Sequence, residues 1–559
     1  MATLPQSVAD SPKASRPERL DAILATPIGR LLLPSFYDFF VAALIGAVTV
    51  RGSGWTRLLD DCDTGWHIRT GDYIRAVGSV PYTDLFSFSK VGQPWFAWEW
   101  LSDVIFSGLH SAWGLKGIVL FATLILVGAV AVLLRTMVSE GVSAAVALPL
   151  AWLATGAASV HYLARPHLVT ILLMAIGSGV LIADRRQPSW RLWLLVPLTA
   201  LWANLHGGFL ALIALVGIYG AGSAIETWFS APRDWSRTRR YAGLFFACWA
   251  ASLANPYGWK LHAHIFEYLR SDWIMSHVME FQSPRFRGEP AMQFELLLFA
   301  GLVMVLPLIQ KRRFCEALSI LYFAYMALAS GRHIPLYVIV ATPHLGAILS
   351  DWWNRWASDA PRSSIRAILN ALSVDIGAGL KRITPWVLAV PAFLLFWNGD
   401  SLQWPKDFPA KNFPVAMVNR FEDRLVGAKV LTMDQWADYL IYRGYPKQKV
   451  FFDGRSDFYG PALGDDYLAL MNGAWNWEQL MRKHDLNLVL APTEWALVGV
   501  LKQAGWRVIG DDGIAILFEP PAGWLKPVRD AGSGGKNAVS GLMQRTVPAE
   551  GTKRDRADD

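Results

Sequence analysis

Apolar residues in this chain gather into long blocks separated by short polar loops, and the blocks recur from Asp38 to Asn398. A bilayer-crossing helix needs about 20 apolar residues, and most of the blocks approach that length. They predict about eleven helical spans. We place these at residues 34–50, 115–134, 143–160, 168–183, 191–205, 208–228, 240–254, 293–309, 314–330, 334–350 and 384–398. The stretch from Glu99 to Trp113 is also apolar, but counting it as a span would invert every later loop. It is read as a helix lying at the membrane interface or re-entering it.

Beyond Asn398 the pattern changes. Short apolar runs at 429–432, 449–452, 487–491 and 514–518 predict buried strands, with amphipathic helices between them at 435–443, 475–483 and 494–505. Strands alternating with helices predict a small α/β domain. From residue 526 the chain is rich in Gly, Ser and charge, which predicts disorder. The first 32 residues are polar and lack the charged start, early apolar core and cleavage site of a signal peptide. The expected organisation is a cytoplasmic tail (1–32), a transmembrane domain (33–398) with a long outer loop (51–114), an α/β domain (399–525) and a tail (526–559).

Charge orients this layout. Arg135, the Arg185–Arg191 group, the Arg233–Arg240 group, Lys311 to Arg313, and Arg355, Arg362, Arg366, Lys381 and Arg382 all fall in loops on one side. Basic loops stay cytoplasmic, so the N-terminus is expected inside and the C-terminal domain outside, periplasmic if the membrane is a bacterial inner membrane. Composition agrees: 53% of residues are hydrophobic and only 17% charged, against roughly a quarter charged in soluble domains. The 27 Trp suit a membrane interface. The net charge of +7 sits largely in these loops, so it is not a nucleic-acid signal, and three Cys are too few for a disulfide framework.

The unusual polar residues gather at the outer side. Asp61 and Asp63 form a D-x-D pair, which can give two hard oxygen ligands to a divalent cation, Mg or Mn, or can deprotonate an acceptor hydroxyl. Asp63 can equally cap the helix that follows. His67 stands one turn on, on the same face. Later outer turns carry Arg165 and His167, Asn204 and His206, and Arg332 and His333. Arg presents a planar fork matched to phosphate oxygens, although a single interfacial Arg can simply snorkel to lipid headgroups. In the C-terminal domain, Asp453, Gly454, Arg455 and Asp457 read either as an Asp-Gly turn fixed by an ion pair or as an acceptor contact. Trp436, Tyr439 and Tyr442 can stack on sugars or fill a core.

The acidic pair followed by a helix, then Gly71-Asp72-Tyr73, Val80-Pro81-Tyr82 and Trp95-Phe96-Ala97-Trp98-Glu99-Trp100-Leu101, resembles the first outer loop of GT-C glycosyltransferases. The resemblance is specific over residues 55–115 and architectural elsewhere. It implies a polytopic α-helical membrane protein of GT-C-like fold with the small α/β domain outside. It also implies an acidic base or metal ligand at Asp61 or Asp63 and a polyprenyl-phosphate-linked sugar as donor. In that reading His67 and Glu99 would orient groups around the acidic pair, Arg165, His167, His206, Arg332 and His333 would hold donor phosphate, and the acceptor would be a glycan, lipid or protein. The Lys-Pro-Pro segment of the aminoarabinose and mannosyl enzymes is replaced here near Ala97-Trp98-Glu99, and no W-W-D-Y-G motif occurs. Two rival readings are a polysaccharide ligase or polymerase using lipid pyrophosphates and a transporter or scaffold without enzymatic activity.

Overall fold

The computed structural model describes residues 26–49, 54–361, 363–397 and 404–524. The disordered tail expected over 526–559 and most of the N-terminal tail lie outside them. Six helices of the described residues are long and apolar enough to cross a membrane, by length and composition.

The predicted blocks become helices close to their expected positions. We label α1 Phe36–Thr49, α2 Asp63–Val77, α3 Trp100–Ser139, α4 Ala144–Ala158, α5 His167–Arg186 and α6 Leu195–Leu205. The series continues with α7 Phe209–Trp228, α8 Ser236–Ala251, α9 Trp259–Arg270, α10 Glu289–Gln310, α11 Phe314–Ala329 and α12 Ile334–Ser358. Ile365–Leu380 (α13) is a further helix within the basic loop expected between the spans 334–350 and 384–398, and Trp386–Phe396 (α14) ends the series. Asp375 and Arg366 interrupt the apolar run of α13; the helix is amphipathic and leaves Ile365, Ile368 and Leu372 exposed. Asp38 at the start of α1 accepts from Thr384 Oγ1 at 2.7 Å, which ties α1 to the turn before α14.

The segment from Glu99 to Trp113 is resolved by one residue. Gly114 has φ 61° and ψ −154°, which breaks α3 into a first part before it and a long apolar part after it. Only glycine adopts that backbone without strain. The first part packs along α2: a Cβ on Gly71 would collide with the backbone of Asp103, so glycine there sets the approach.

The C-terminal domain holds a four-stranded sheet of β1 Val430–Thr432, β2 Leu488–Pro492, β3 Arg507–Asp511 and β4 Ala515–Glu519, in the order β1-β2-β4-β3. β1 and β2 are parallel, and β4 runs antiparallel to both β2 and β3. Two expectations need correction. Residues 449–452 form no strand of this sheet; Val450 instead exchanges backbone hydrogen bonds with Phe86 and Phe88 of the outer loop. Edge strand β3 was missed because it is largely exposed and has no buried apolar run. Helices α15 Asp434–Gly444, α16 Ser456–Met471, α17 Trp477–Lys483 and α18 Ala496–Gln503 pack around the sheet. Trp436, Tyr439 and Tyr442 are core residues: all three are buried, and Trp436 Nε1 donates to the Asn412 carbonyl.

The domain is clamped onto the outer loop. Gln435 Oε1 accepts from Cys62 N at 2.8 Å. Gly65 on α2 lies against Tyr442 and the Asp438 carbonyl, where a Cβ would sit 2.8 Å from Tyr442 Cβ. This docking brings α15 and the 453–457 turn up to the acidic pair.

Candidate functional site

A cavity of about 460 Å³ opens where α2, the start of α3, the turns before α5 and α12, and the 454–457 turn converge. One end is polar. The other is walled by apolar side chains of α7, α8, α9 and α11, among them Ile213, Phe245, Leu269 and Phe323.

The polar end is organised around one guanidinium. The 162–166 turn is pinned to the outer loop by Thr64 Oγ1, which donates to the Ala164 carbonyl at 2.7 Å, and by Ala164 N, which donates to Leu58 O at 2.8 Å. That anchoring aims Arg165 at three carboxylates. Its Nη1 lies 2.8 Å from Asp61 Oδ2 and 2.6 Å from Glu280 Oε1, and its Nη2 lies 2.6 Å from Asp63 Oδ2. Asp63 N also donates to Asp61 Oδ1 at 2.9 Å, which fixes the pair. Of the two acids, only Asp63 lines the cavity. Burial pushes Asp61 up to about 7, with Arg165 opposing and Asp63 and Glu280 adding to the shift. Burial likewise raises Asp63 against the pull of Arg165. Glu280 goes the other way: burial pushes it up, but Arg165, His161 and Arg332 outweigh that and hold it at about 2.

A second chain of contacts runs behind the acids. His67 Nδ1 lies 2.6 Å from Asp103 Oδ1, with Asp103 fully buried, and His67 Nε2 lies 3.5 Å from Glu99 Oε2. Glu99 Oε1 is 3.4 Å from His206 Nε2. Gly208 N donates to His206 Nδ1 at 3.0 Å, so that nitrogen is the acceptor and Nε2 carries the hydrogen facing Glu99. Thr170 Oγ1, 2.7 Å from His206 Nδ1, closes the chain and accepts from Trp202 Nε1 at 2.9 Å. Burial pushes Glu99 up to about 8, only partly offset by Arg165 and Arg332. At neutral pH Glu99 therefore holds a proton that it can share with His67 Nε2.

The cavity is also lined by His167, Arg332, His333, Arg455 and Asp457. His167 Nε2 donates to the His161 carbonyl at 3.0 Å. Among the described residues Arg332 has no carboxylate within ion-pair distance; its guanidinium lies 4.4 Å over the Phe281 ring. Arg455 is held by Asp453 and Asp84 at 2.6 and 2.9 Å, and its Nη1 is buried without a partner. Asp457 pairs with His264 at 3.0 Å. Gly454 is what admits this turn, because a Cβ there would collide with Asp63 Oδ1.

Three expected residues stand outside the cavity lining. Asp61 backs Arg165. Asp453 is fully buried and bound to Arg455 and Tyr459, so its place is in the turn's own scaffold. Asn204 bonds Trp100 Nε1 and the carbonyls of Ala200 and Ala254, which is a packing role. Asp103, Glu280 and Thr170 were missed. Asp103 had a signal, an ionisable residue one turn after Glu99 in an apolar stretch; Glu280 and Thr170 had none.

A divalent cation on Asp61 and Asp63 does not fit this arrangement. One oxygen of each carboxylate is on Arg165, and among the described residues no group of three or more His, Cys, Asp or Glu is placed to hold a metal.

No protein-family model matches the chain, and no curated protein matches it. Solved structures do. The archaeal oligosaccharyltransferase AglB from Archaeoglobus fulgidus, in complex with an inhibitory peptide and a dolichol-phosphate, aligns with a TM-score of 0.53 at 11% identity. The alignment covers 88% of this chain and 74% of that one. ArnT from Cupriavidus metallidurans bound to undecaprenyl phosphate aligns with a TM-score of 0.49 at 14% identity, over 88% of this chain and 98% of that one. The likeness to AglB, at 11% identity, is one of fold, over most of this chain.

Proposed function

We propose that the chain is a membrane glycosyltransferase that moves a sugar from a polyprenyl-phosphate carrier to an acceptor at the outer face of a bacterial inner membrane. The observation that carries this reading is the two-ended cavity: Asp63, Arg165 and Arg332 at one end and an apolar wall between helices at the other. A phosphate-bearing headgroup with a long hydrocarbon tail needs both. The N-terminus would be cytoplasmic and the C-terminal domain periplasmic, following the basic loops. The neighbours' printed ligands, a dolichol-phosphate and undecaprenyl phosphate, belong to the same chemical class.

In the reaction, the bond between the sugar's anomeric carbon and the phosphate oxygen breaks as the acceptor hydroxyl oxygen bonds that carbon. Asp63, which reaches the cavity, takes the hydroxyl proton. Arg332, free of a carboxylate partner, and the spare Nη1 of Arg455 stabilise charge on the departing phosphate. An oriented donor of this kind is worth about 3–4 kcal/mol in a dry site. Asp61 and Glu280 hold Arg165, and Asp103 holds His67; these are positioning residues. Asp457 and His264 border the side from which an acceptor would enter.

The test is sugar transfer by purified protein from a panel of polyprenyl-phosphate and polyprenyl-pyrophosphate sugars, with and without chelator, beside Asp63→Asn. Transfer from a monophosphate donor that Asp63→Asn abolishes, with the variant folded, is expected. Transfer only from pyrophosphate donors would favour the ligase or polymerase reading. No transfer and no binding across the panel would sink both.

A further inference from the structure

The end of the bundle opposite the candidate site encloses a second cavity, of about 220 Å³. The helices themselves establish the opposition: α5 begins at the first cavity with His167 and ends at the second with Arg185 and Arg186. At 1.5 Å per residue that separation is about 30 Å, the thickness of a bilayer core. Arg237, Arg313, Glu316 and His344 complete its main lining. These arginines are the ones whose loops mark the cytoplasmic side.

Its charge is not balanced from within. Glu226 grips Arg185 in a fork, at 2.7 and 2.9 Å, and Glu316 Oε1 lies 3.1 Å from Arg313 Nη2. Arg186 Nη1 donates to the Ser139 carbonyl at 2.6 Å and has a carboxylate, that of Glu140, no nearer than 3.5 Å, while Arg237 donates only to the Arg185 carbonyl at 3.3 Å. The cavity therefore keeps donors to spare. Two atoms in its floor are incomplete: His344 Nε2 and Glu316 Oε2 are buried without any hydrogen-bond partner, in side chains only 4% and 3% exposed. Buried polar atoms left unpaired are costly, so each marks a place where a ligand atom or water belongs.

The two atoms ask for different things. The arginines call for an anion, which Arg recognises through paired N–H donors when it is a phosphate, and His344 Nε2 can donate to the same anion in the tautomer that carries its hydrogen there. Glu316 Oε2 calls for a hydrogen-bond donor beside that anion. A phosphate group accompanied by a hydroxyl supplies both. A basic pocket between helices at the cytoplasmic surface is also where anionic lipid headgroups collect. We propose that this cavity binds a hydroxyl-bearing phosphate group, as carried by an anionic lipid headgroup such as that of phosphatidylglycerol, with the phosphate on the arginines and the hydroxyl on Glu316.

The test uses the full-length protein in nanodiscs of phosphatidylcholine with and without phosphatidylglycerol, and in detergent with inorganic phosphate. Bound lipid is read by native mass spectrometry, and binding by the shift in melting temperature. The double variant Arg186→Gln with Arg313→Gln alters two partly exposed lining arginines, and Arg239→Gln is an exposed control at the same end outside the cavity. Retention of phosphatidylglycerol over phosphatidylcholine is expected, weakened about ten-fold or more in the double variant and unchanged in the control. Retention without a phosphate effect would identify the lipid as the source; a phosphate effect alone would identify a soluble anion. Equal weakening in Arg239→Gln would reduce the effect to diffuse surface charge and overturn the proposal. So would the absence of both lipid preference and phosphate effect in the unaltered protein, a result that needs no variant.

Discussion

Arg165 Nη2 stands 2.6 Å from Asp63 Oδ2, joining the turn before α5 to the start of α2. The same guanidinium also holds Asp61 and Glu280, so one cation organises three acids drawn from two segments. Arg165→Gln would leave these carboxylates facing one another. Breaking a buried ion pair by removing one partner costs about 3–5 kcal/mol. We expect a clear fall in melting temperature together with lost transfer, and little rescue by Arg165→Lys, because an ammonium cannot serve two carboxylates through a planar fork. A variant that melts as the parent does would show that the cluster adds nothing to stability.

Glu99 makes the stability depend on pH. Its pKa in the folded protein is raised from 4.5 to about 8, so the folded state holds a proton that the unfolded state releases. The stability this contributes is full below 4.5 and is lost as pH rises through about 8. Glu99→Gln preserves a donor toward His67 and an acceptor toward His206 but cannot ionise. Thermal melts across this window should slope less in the variant; parallel profiles would remove Glu99 as the source.

Asp103 acts on the site only through His67, which it meets at 2.6 Å. Asp103→Asn keeps the shape but weakens the orientation of the imidazole. Turnover should fall, toward the roughly 10²–10⁴-fold range that acid–base assistance supplies, while KM stays close to the parent value. A change confined to KM would assign His67 to substrate binding alone.

Gly454 offers a test with no change in charge. A Cβ at this position collides with Asp63 Oδ1 and would lie 2.7 Å from Asp438 Oδ2. Gly454→Ala should displace the Asp63 carboxylate, and small displacements of reacting groups cost on the order of 10²-fold in rate. The C-terminal domain should remain folded, as judged by resistance to limited proteolysis. Full activity in this variant would mean that Asp63 does not need its present position.

With one oxygen of each acid on Arg165, transfer should survive chelation. Loss of transfer on treatment with EDTA, restored by Mg or Mn, would show that the acids part from Arg165 to take a metal.

The sequence by itself determined the parts of this protein that depend on local pattern. Apolar continuity located the helices, because a backbone without water must satisfy its own hydrogen bonds along each segment. Strand-like runs located β1, β2 and β4, and the outer turns supplied Asp63, His67, Glu99, Arg165, His167, His206, Arg332 and His333, all of which line the cavity. What the sequence could not decide is which of these groups face one another. Residues 449–452 look like a strand for this sheet, yet Val450 pairs with the outer loop, a partner distant along the chain. Asp61 and Asp63 look like metal ligands until the fold delivers Arg165 between them. Asn204 and Asp453 have the right chemistry and the wrong orientation. Glu280 carries no signal in the sequence and Asp103 only its charge in an apolar stretch, and their roles follow from the tertiary structure, which sets them against Arg165 and His67. Charge pairing acts over a few ångströms in space, while sequence pattern reports only neighbours along the chain, so the assembly of the site belongs to the fold.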